Sequence, residues 1–352
     1  MRLISKTDPF TWLLLAVPVV IAGNYLHWPP TLVFFLSVLA IIPLAKIMGD
    51  ATEELSVHTG PKIGGLLNAS LGNAAELIIT LVAIKAGLLD LVKASITGSI
   101  ISNVLLVTGG ALLIGGLRNG IQKFDRTTAG LSSTQLTLAV IALAIPAIFY
   151  HTVPAESAVV EELSLGVAAV MIITYLLNLV FGMGYSLSRS AEEEKEARLS
   201  LTQALIVLTI DTLFIVWLSE IMVGAVEPTV ASLGISEFFV GIIVIPIVGN
   251  AAENFVAITV ASKDEMDLSL EITLGSSIQI ALFVAPLLVF ISLFLGDHPL
   301  NLIFHPFELA ALASSVIIAV FISQDGESNW MEGVQLISVF LIIALAFFFL
   351  PH

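Results

Sequence analysis

The chain of 352 residues contains no cysteine. That excludes disulfides, thiolate metal ligands and haem-attachment motifs, and with them redox chemistry and soft-metal sites. Histidine is scarce too, at six positions, none in the HExxH spacing of a zinc hydrolase. The third shortage is charge: 12% of residues, against roughly 25% in ordinary soluble domains. Lys and Arg number 13 and the formal net charge is −15. Clustered cations able to hold a phosphate backbone are therefore missing, which excludes nucleic acid as a partner. The largest polar insert, "SRSAEEEKEARLS" at 188–200, is too short for a soluble domain.

What is abundant is apolar surface, 57% of residues. Apolar runs bounded by Pro, Gly and charge recur along the whole length, each near the about 20 residues that span hydrocarbon. They predict an all-α integral, multi-pass membrane protein whose partner is the lipid bilayer. It has about 11 transmembrane helices, near 10–27, 31–49, 63–87, 92–117, 130–150, 162–184, 200–224, 237–261, 269–295, 307–323 and 332–350. The N-terminal run "MRLISKTDPFTWLLLAVPVVIAG" resembles a signal peptide but is read as a retained first span. The apolar run continues toward "GNYLHWPP", where Tyr25 and Trp28 suit the headgroup level. With the N-terminus cytoplasmic, Arg2, Lys6, Lys46, Lys62, Arg118, Lys123, Arg126, Arg189, Lys195, Arg198 and Lys263 fall inside and only Lys85 and Lys93 outside. That asymmetry sets the orientation.

Two stretches repeat: "LGNAAELIIT" at 71–80 and "VGNAAENFVA" at 248–257, an offset of 177. At the same offset "TGSII" (97–101) aligns with "LGSSI" (274–278). Glu53 with Pro61 aligns with Glu220 and Pro228 at an offset of 167. The first motif lies in the third helix and the second in the eighth. Five spans separate them, and an odd number reverses direction, so the copies run antiparallel. The expected organisation is a first helix (1–30), a five-helix repeat (31–187), an acidic cytoplasmic linker (188–199) and a second, inverted five-helix repeat (200–352), the layout of many secondary transporters.

Each motif carries a carboxylate at bilayer depth, Glu76 and Glu253. Insertion scales put its cost at about 2.5 to 3.5 kcal/mol, so such a group persists where it faces a cavity or partner. Asn73 and Asn250 lie three residues before them, on the same helical face. Gly72 and Gly249 permit a local break that frees carbonyls, and Pro246 adds to that tendency, as would Gly64 and Gly65 in the first copy. On the following helices Ser99 with Asn103, and Ser276 with Gln279, could complete a ring of oxygens or simply bond across helices. Two carboxylates, two amides and free carbonyls make a hard-oxygen cage for a divalent cation such as Ca²⁺. Without metal, desolvation and like charge oppose two ionised carboxylates, so protons would replace it. Cation and proton compete for the same oxygens, and an exchanger follows from that exclusion.

The doubled GNAxE motif, the eleven spans and the acidic insert between helices six and seven resemble the calcium/proton exchanger (CAX) family of the cation/calcium exchanger superfamily. The resemblance implies a secondary active antiporter exchanging Ca²⁺, or a similar divalent cation, for protons by alternating access. It implies that Glu76 and Glu253 are the metal and proton ligands, that the surrounding motif residues contribute, and that the acidic linker is a regulatory helix. Ca²⁺ is then substrate, and no cofactor is expected. Sodium/calcium exchange is the alternative within the class, and a cation channel outside it. No nucleophile–base motif supports an enzyme. The absence of long extensions points to a prokaryotic cell membrane, and a homo-oligomer stays open.

Asp211, in "VLTIDTLFIV", is a third intramembrane acid that could line the path or pair with a polar neighbour. Glu53 and Glu220 lie near helix ends, as interfacial carboxylates or cation attractors at a vestibule. From residues alone, "AEEEKEARL" (191–199) is a short solvated helix. His27, His58, His151, His298 and His305 fall near span ends, where no special role is required.

Overall fold

The computed structural model describes residues 9–153, 158–186, 197–295 and 299–350. Most of the acidic insert (191–196) and His298 lie outside the described residues. Among the described residues seven helices are long and apolar enough to cross a membrane: α2 (Pro30–Gly60), α4 (Leu89–Asn119), α5 (Arg126–Tyr150), α6 (Val159–Gly182), α7 (Leu201–Leu233), α9 (Met266–Ser292) and α11 (Trp330–Phe348). A pair bent by 63°, α8a (Glu237–Gly249) and α8b (Ala251–Ala261), forms another. Two shorter apolar helices, α1 (Phe10–Tyr25) and α10 (Pro306–Ile322), and the broken run α3a (61–71) with α3b (Ala74–Lys85), complete eleven segments in the expected order.

Several boundaries are written in capping residues. Asp125 accepts from the Thr127 and Thr128 N–H groups at the start of α5. Ser200 with Gln203 closes a capping box on α7, and Asn329 with Glu332 does so on α11. Each cap is worth about 1 kcal/mol by satisfying N–H groups that have no partner in the helix. His305 is a further cap: its ring Nδ1 accepts from Phe307 N–H, while Glu308 accepts from His305 N–H at 2.8 Å. The histidine that sequence left without a role thus starts α10.

One expectation is corrected. The span expected over 31–49 does not end there, because α2 continues through the polar stretch 50–59 to a kink at Gly60 (φ 78°, ψ 170°). No Gly or Pro lies within 50–59, and the i,i+4 pair of Lys46 and Asp50 (2.9 Å) supports the helix. The all-α architecture carries one small addition: a two-residue antiparallel pairing joins Gln122–Lys123 to Glu327–Ser328, holding together the loops after α4 and before α11.

The polar extension of α2 also anchors the inter-repeat connection. Glu54 accepts from the main-chain N–H groups of Arg198 (2.7 Å) and Leu199 (2.9 Å), and His58 Nε2 bonds the Leu199 carbonyl at 2.6 Å. The exposed large side chains, such as Ile141, Val170, Leu177, Leu213 and Ile342, form the apolar outside that a bilayer would cover.

Candidate cation-binding site

Both motifs interrupt their helices. In the first, α3 breaks at Gly72–Asn73 and restarts at Ala74, with Asn73 outside helical geometry (φ −98°, ψ 27°). In the second, α8a ends at Gly249, Asn250 leaves the helix (φ −107°, ψ 10°), and α8b starts at Ala251. The expected break is present: in the first copy Gly72 and Asn73 both lie outside the helices, whereas in the second Gly249 stays helical and only Asn250 leaves. Gly249 has a different use: a Cβ there would come to 3.5 Å of the Glu76 Cβ, so the two motifs cross in near contact. Gly64 likewise does not loosen α3a; it packs against the Ser56 main chain, and Ser56 Oγ donates to its carbonyl at 3.0 Å.

The break places Glu76 and Glu253 in the first turns of α3b and α8b, where positive helix ends favour carboxylates. The carbonyl ends of α3a and α8a meet the same place, so each break supplies both polarities. Glu76 is 1% exposed and Glu253 partly exposed, and the two sense each other's charge.

Bonds cross between the copies. Ser99 on α4 donates to Glu76 Oε1, and Asn250 from the second motif donates to Glu76 Oε2 at 3.3 Å. Correspondingly, Ser276 on α9 donates to Asn73 Oδ1 of the first motif at 3.0 Å and faces Glu253. Asn103 Nδ2 reaches Ser276 Oγ at 3.2 Å. Each asparagine therefore touches the serine side of the opposite repeat. Gln279 is buried at the foot of this cluster, one turn beyond Ser276.

Two serines belong with these residues and escaped the sequence analysis. Ser95, one turn before Ser99, faces Glu76 without closing a bond. Ser102 is buried and is the counterpart of Gln279 at the offset of 177; applying that offset to Gln279 would have found it. Both α4 and α9 pass through a π-helical turn here, Ser102–Val107 and Ile280–Val284, at corresponding places in the repeat. Such turns are frequent at functional sites, because the extra residue leaves main-chain groups without their helical partners.

The cluster is under-satisfied. Asn73 Nδ2, Ser95 Oγ, Ser102 Oγ, Asn103 Oδ1 and Gln279 Nε2 are buried without a partner among the described residues. Buried polar atoms left unpaired cost about 1–3 kcal/mol each, so the arrangement suits a polar guest. Among the described residues no three His, Cys, Asp or Glu side chains converge, so any cation here would rely on two carboxylates and neutral oxygens.

The other acids lie elsewhere. Asp211 is buried on α7, 4% exposed, outside the bonded cluster. Glu220 is exposed and pairs with Lys85 at 3.5 Å, and Glu53 is on the surface of α2. Glu308, which sequence did not single out, is fully buried and accepts from Thr97 Oγ1 at 2.9 Å. Its bond to His305 N–H accounts for it as a helix cap.

Comparison with known proteins finds related chains over nearly the whole length. The profile of the family described as sodium/calcium exchanger protein matches residues 29–184 and again 203–349. A Ca(2+)/H(+) antiporter of Aphanothece halophytica is 45% identical over 371 residues, covering 99% of this chain and 98% of that one. The Ca(2+)/H(+) antiporter ChaA of Bacillus subtilis is 42% identical over 342 residues, covering 95% and 97%. Among solved structures, native YfkE is 40% identical with a TM-score of 0.86, over 97% of this chain and 100% of that one. The H+/Ca2+ exchanger CAX matches in fold, with a TM-score of 0.73 at 18% identity over 96% and 90%.

Proposed function

The chain belongs to the sodium/calcium exchanger protein family, and from that premise we propose that it is a secondary active antiporter exchanging Ca²⁺ for protons across a membrane. The observation that carries this reading is the crossing of two antiparallel helix breaks, which brings Glu76 and Glu253 to one cluster bonded across the repeats. Two carboxylates balance one divalent ion in a low-dielectric place, and without the ion they hold protons instead. The relatives named as Ca²⁺/H⁺ antiporters, similar over nearly the whole chain, support the pairing of these two substrates.

In this reading Glu76 and Glu253 are the ligands shared by cation and protons. Asn73, Asn250, Ser99, Ser276, Asn103 and Gln279, with main-chain oxygens beside Gly72 and Gly249, complete the polar shell. The repeats are bounded near 31–187 and 200–352, joined by the acidic linker. The N-terminus is cytoplasmic, supported by the distribution of Lys and Arg, and the similarity to antiporters of Aphanothece halophytica and Bacillus subtilis supports a prokaryotic cell membrane.

Purified protein in liposomes tests the reading. Ca²⁺ uptake driven by an imposed pH gradient, with no sodium present, is the expected result. A sodium requirement would replace protons with sodium as the driving ion, and flux at channel rates without coupling would remove the antiporter altogether.

A further inference from the structure

One buried acid has no part in the cation cluster. Asp211 lies on the packed face of α7 with Ala204, Ile215, Leu218 and Met222, all of them buried. Its Oδ2 has no hydrogen-bond partner among the described residues. The fold does not demand an acid there, because at the offset of 167 its counterpart in the first repeat is Leu44.

The height of Asp211 follows from its neighbours. An even number of crossings separates α3 from α7, so α3b and α7 run in the same direction, and they are packed together. Lys85 and Glu220 tie them at 3.5 Å. Asp211 and Glu76 each lie nine residues before that tie, roughly 13 Å down parallel helices. The two carboxyls are therefore at one depth on adjoining helices. Over 201–224 the other helices packed on α7 are α1, which carries no charged side chain, and α2; the last turns, 226–233, also meet the start of α8a, where Glu237 lies beyond the depth of Asp211. On α2 the charged groups are Lys46 and Asp50, 2.9 Å apart, and toward its end Glu53, Glu54 and His58. Glu76 is the one carboxylate of α3b and is already engaged by Ser99 and Asn250.

We propose that Asp211 is a proton-binding residue on α7, outside the cation cluster, loaded and emptied as α7 moves against α3b. Sealed between helices at this depth, the side chain carries a proton as a neutral carboxylic acid. When α7 exposes it to one aqueous side, the proton leaves and a carboxylate remains, to be neutralised from the other side. The acid thus couples proton movement to helix movement without sharing an oxygen with Ca²⁺.

This inference rests on the antiport reading, and one reconstituted preparation separates the two. Ca²⁺/Ca²⁺ exchange at equal pH needs the cluster but no net proton movement; pH-driven Ca²⁺ uptake needs both. In Asp211→Asn, Ca²⁺/Ca²⁺ exchange is expected within about twofold of wild type, while pH-driven uptake falls about tenfold and its pH profile flattens. Asp211→Glu should restore the driven mode. Where the Asn variant fails to insert, Asp211→Leu, matching Leu44, makes the same test. Unchanged driven uptake and pH profile would overturn the proposal, as would equal loss of both modes, which marks a structural role. Absence of driven uptake in the wild type would instead remove the antiport reading, and this inference with it.

Discussion

The two repeats share a sequence pattern and differ in how they close. On one side Gly98 of α4 and Gly241 of α8a interlock. A methyl group added at Gly98 would fall on the Ile242 main chain, and one at Gly241 on Ala94. At the offset of 177 their counterparts are Gly275 of α9 and Gly64 of α3a. There Gly275 meets no described atom within 4 Å, and Gly64 packs on Ser56 of its own repeat. The same small-residue seat is thus occupied once and open once. The carboxylates differ in the same sense, Glu76 being fully buried and Glu253 partly exposed. An inverted repeat caught in two unlike halves carries the means of alternating access: the halves exchange conformations and access changes side.

The harshest way to break this comparison is to neutralise each carboxylate in turn. Glu76→Gln and Glu253→Gln should each lower proton-driven Ca²⁺ uptake about a hundredfold while leaving membrane insertion intact, read by liposome flux and detergent-solubilised yield. Near-normal flux in either variant would remove that glutamate from the site.

A smaller but more pointed effect comes from the glycine seats. Gly98→Ala meets main chain at once and should slow exchange about tenfold. Gly275→Ala has room in the present state and should leave thermal stability unchanged, yet slow exchange severalfold if its seat must close in turn. Wild-type turnover in Gly275→Ala would show that the two seats do not alternate.

Smaller again is the loss of one cross-repeat amide. Asn250→Ala removes a donor to Glu76 and Asn73→Ala an acceptor for Ser276, each expected to weaken Ca²⁺ binding about fivefold to tenfold by calorimetry, consistent with about 1 kcal/mol per hydrogen bond. Unequal losses would rank the two halves of the site. Least of all, Lys85→Gln should change flux less than about twofold, because its bond to Glu220 is exposed and screened by water.

Much of the fold was legible because lipid imposes one rule, that apolar segments of sufficient length span. The crossing motifs were legible from an offset and an odd count of spans. What escaped has particular reasons. The extension of α2 lies beyond the expected end near 49 because the span rule follows apolar residues and 50–59 is polar, although no Gly or Pro breaks it. Glycine is permissive and Gly72 does take part in the first break, but Asn73 and Asn250 are the residues that leave the helix in both copies, while Gly249 stays helical beside Glu76. Ser102 was missed by pairing Gln279 with Asn103 instead of applying the offset already in hand. Which seat is occupied was never readable, since Gly64, Gly98, Gly241 and Gly275 are one residue type in equivalent contexts.

The grip of Glu54 and His58 on the chain at Arg198 and Leu199 bears on how such an exchange of shapes can proceed. It welds the tip of α2 to the root of α7, one long helix from each repeat. Those two helices then travel as a single lever, hinged at this joint, while the broken helices stay beside their cargo. A pull on the acidic connector would be delivered straight to that lever.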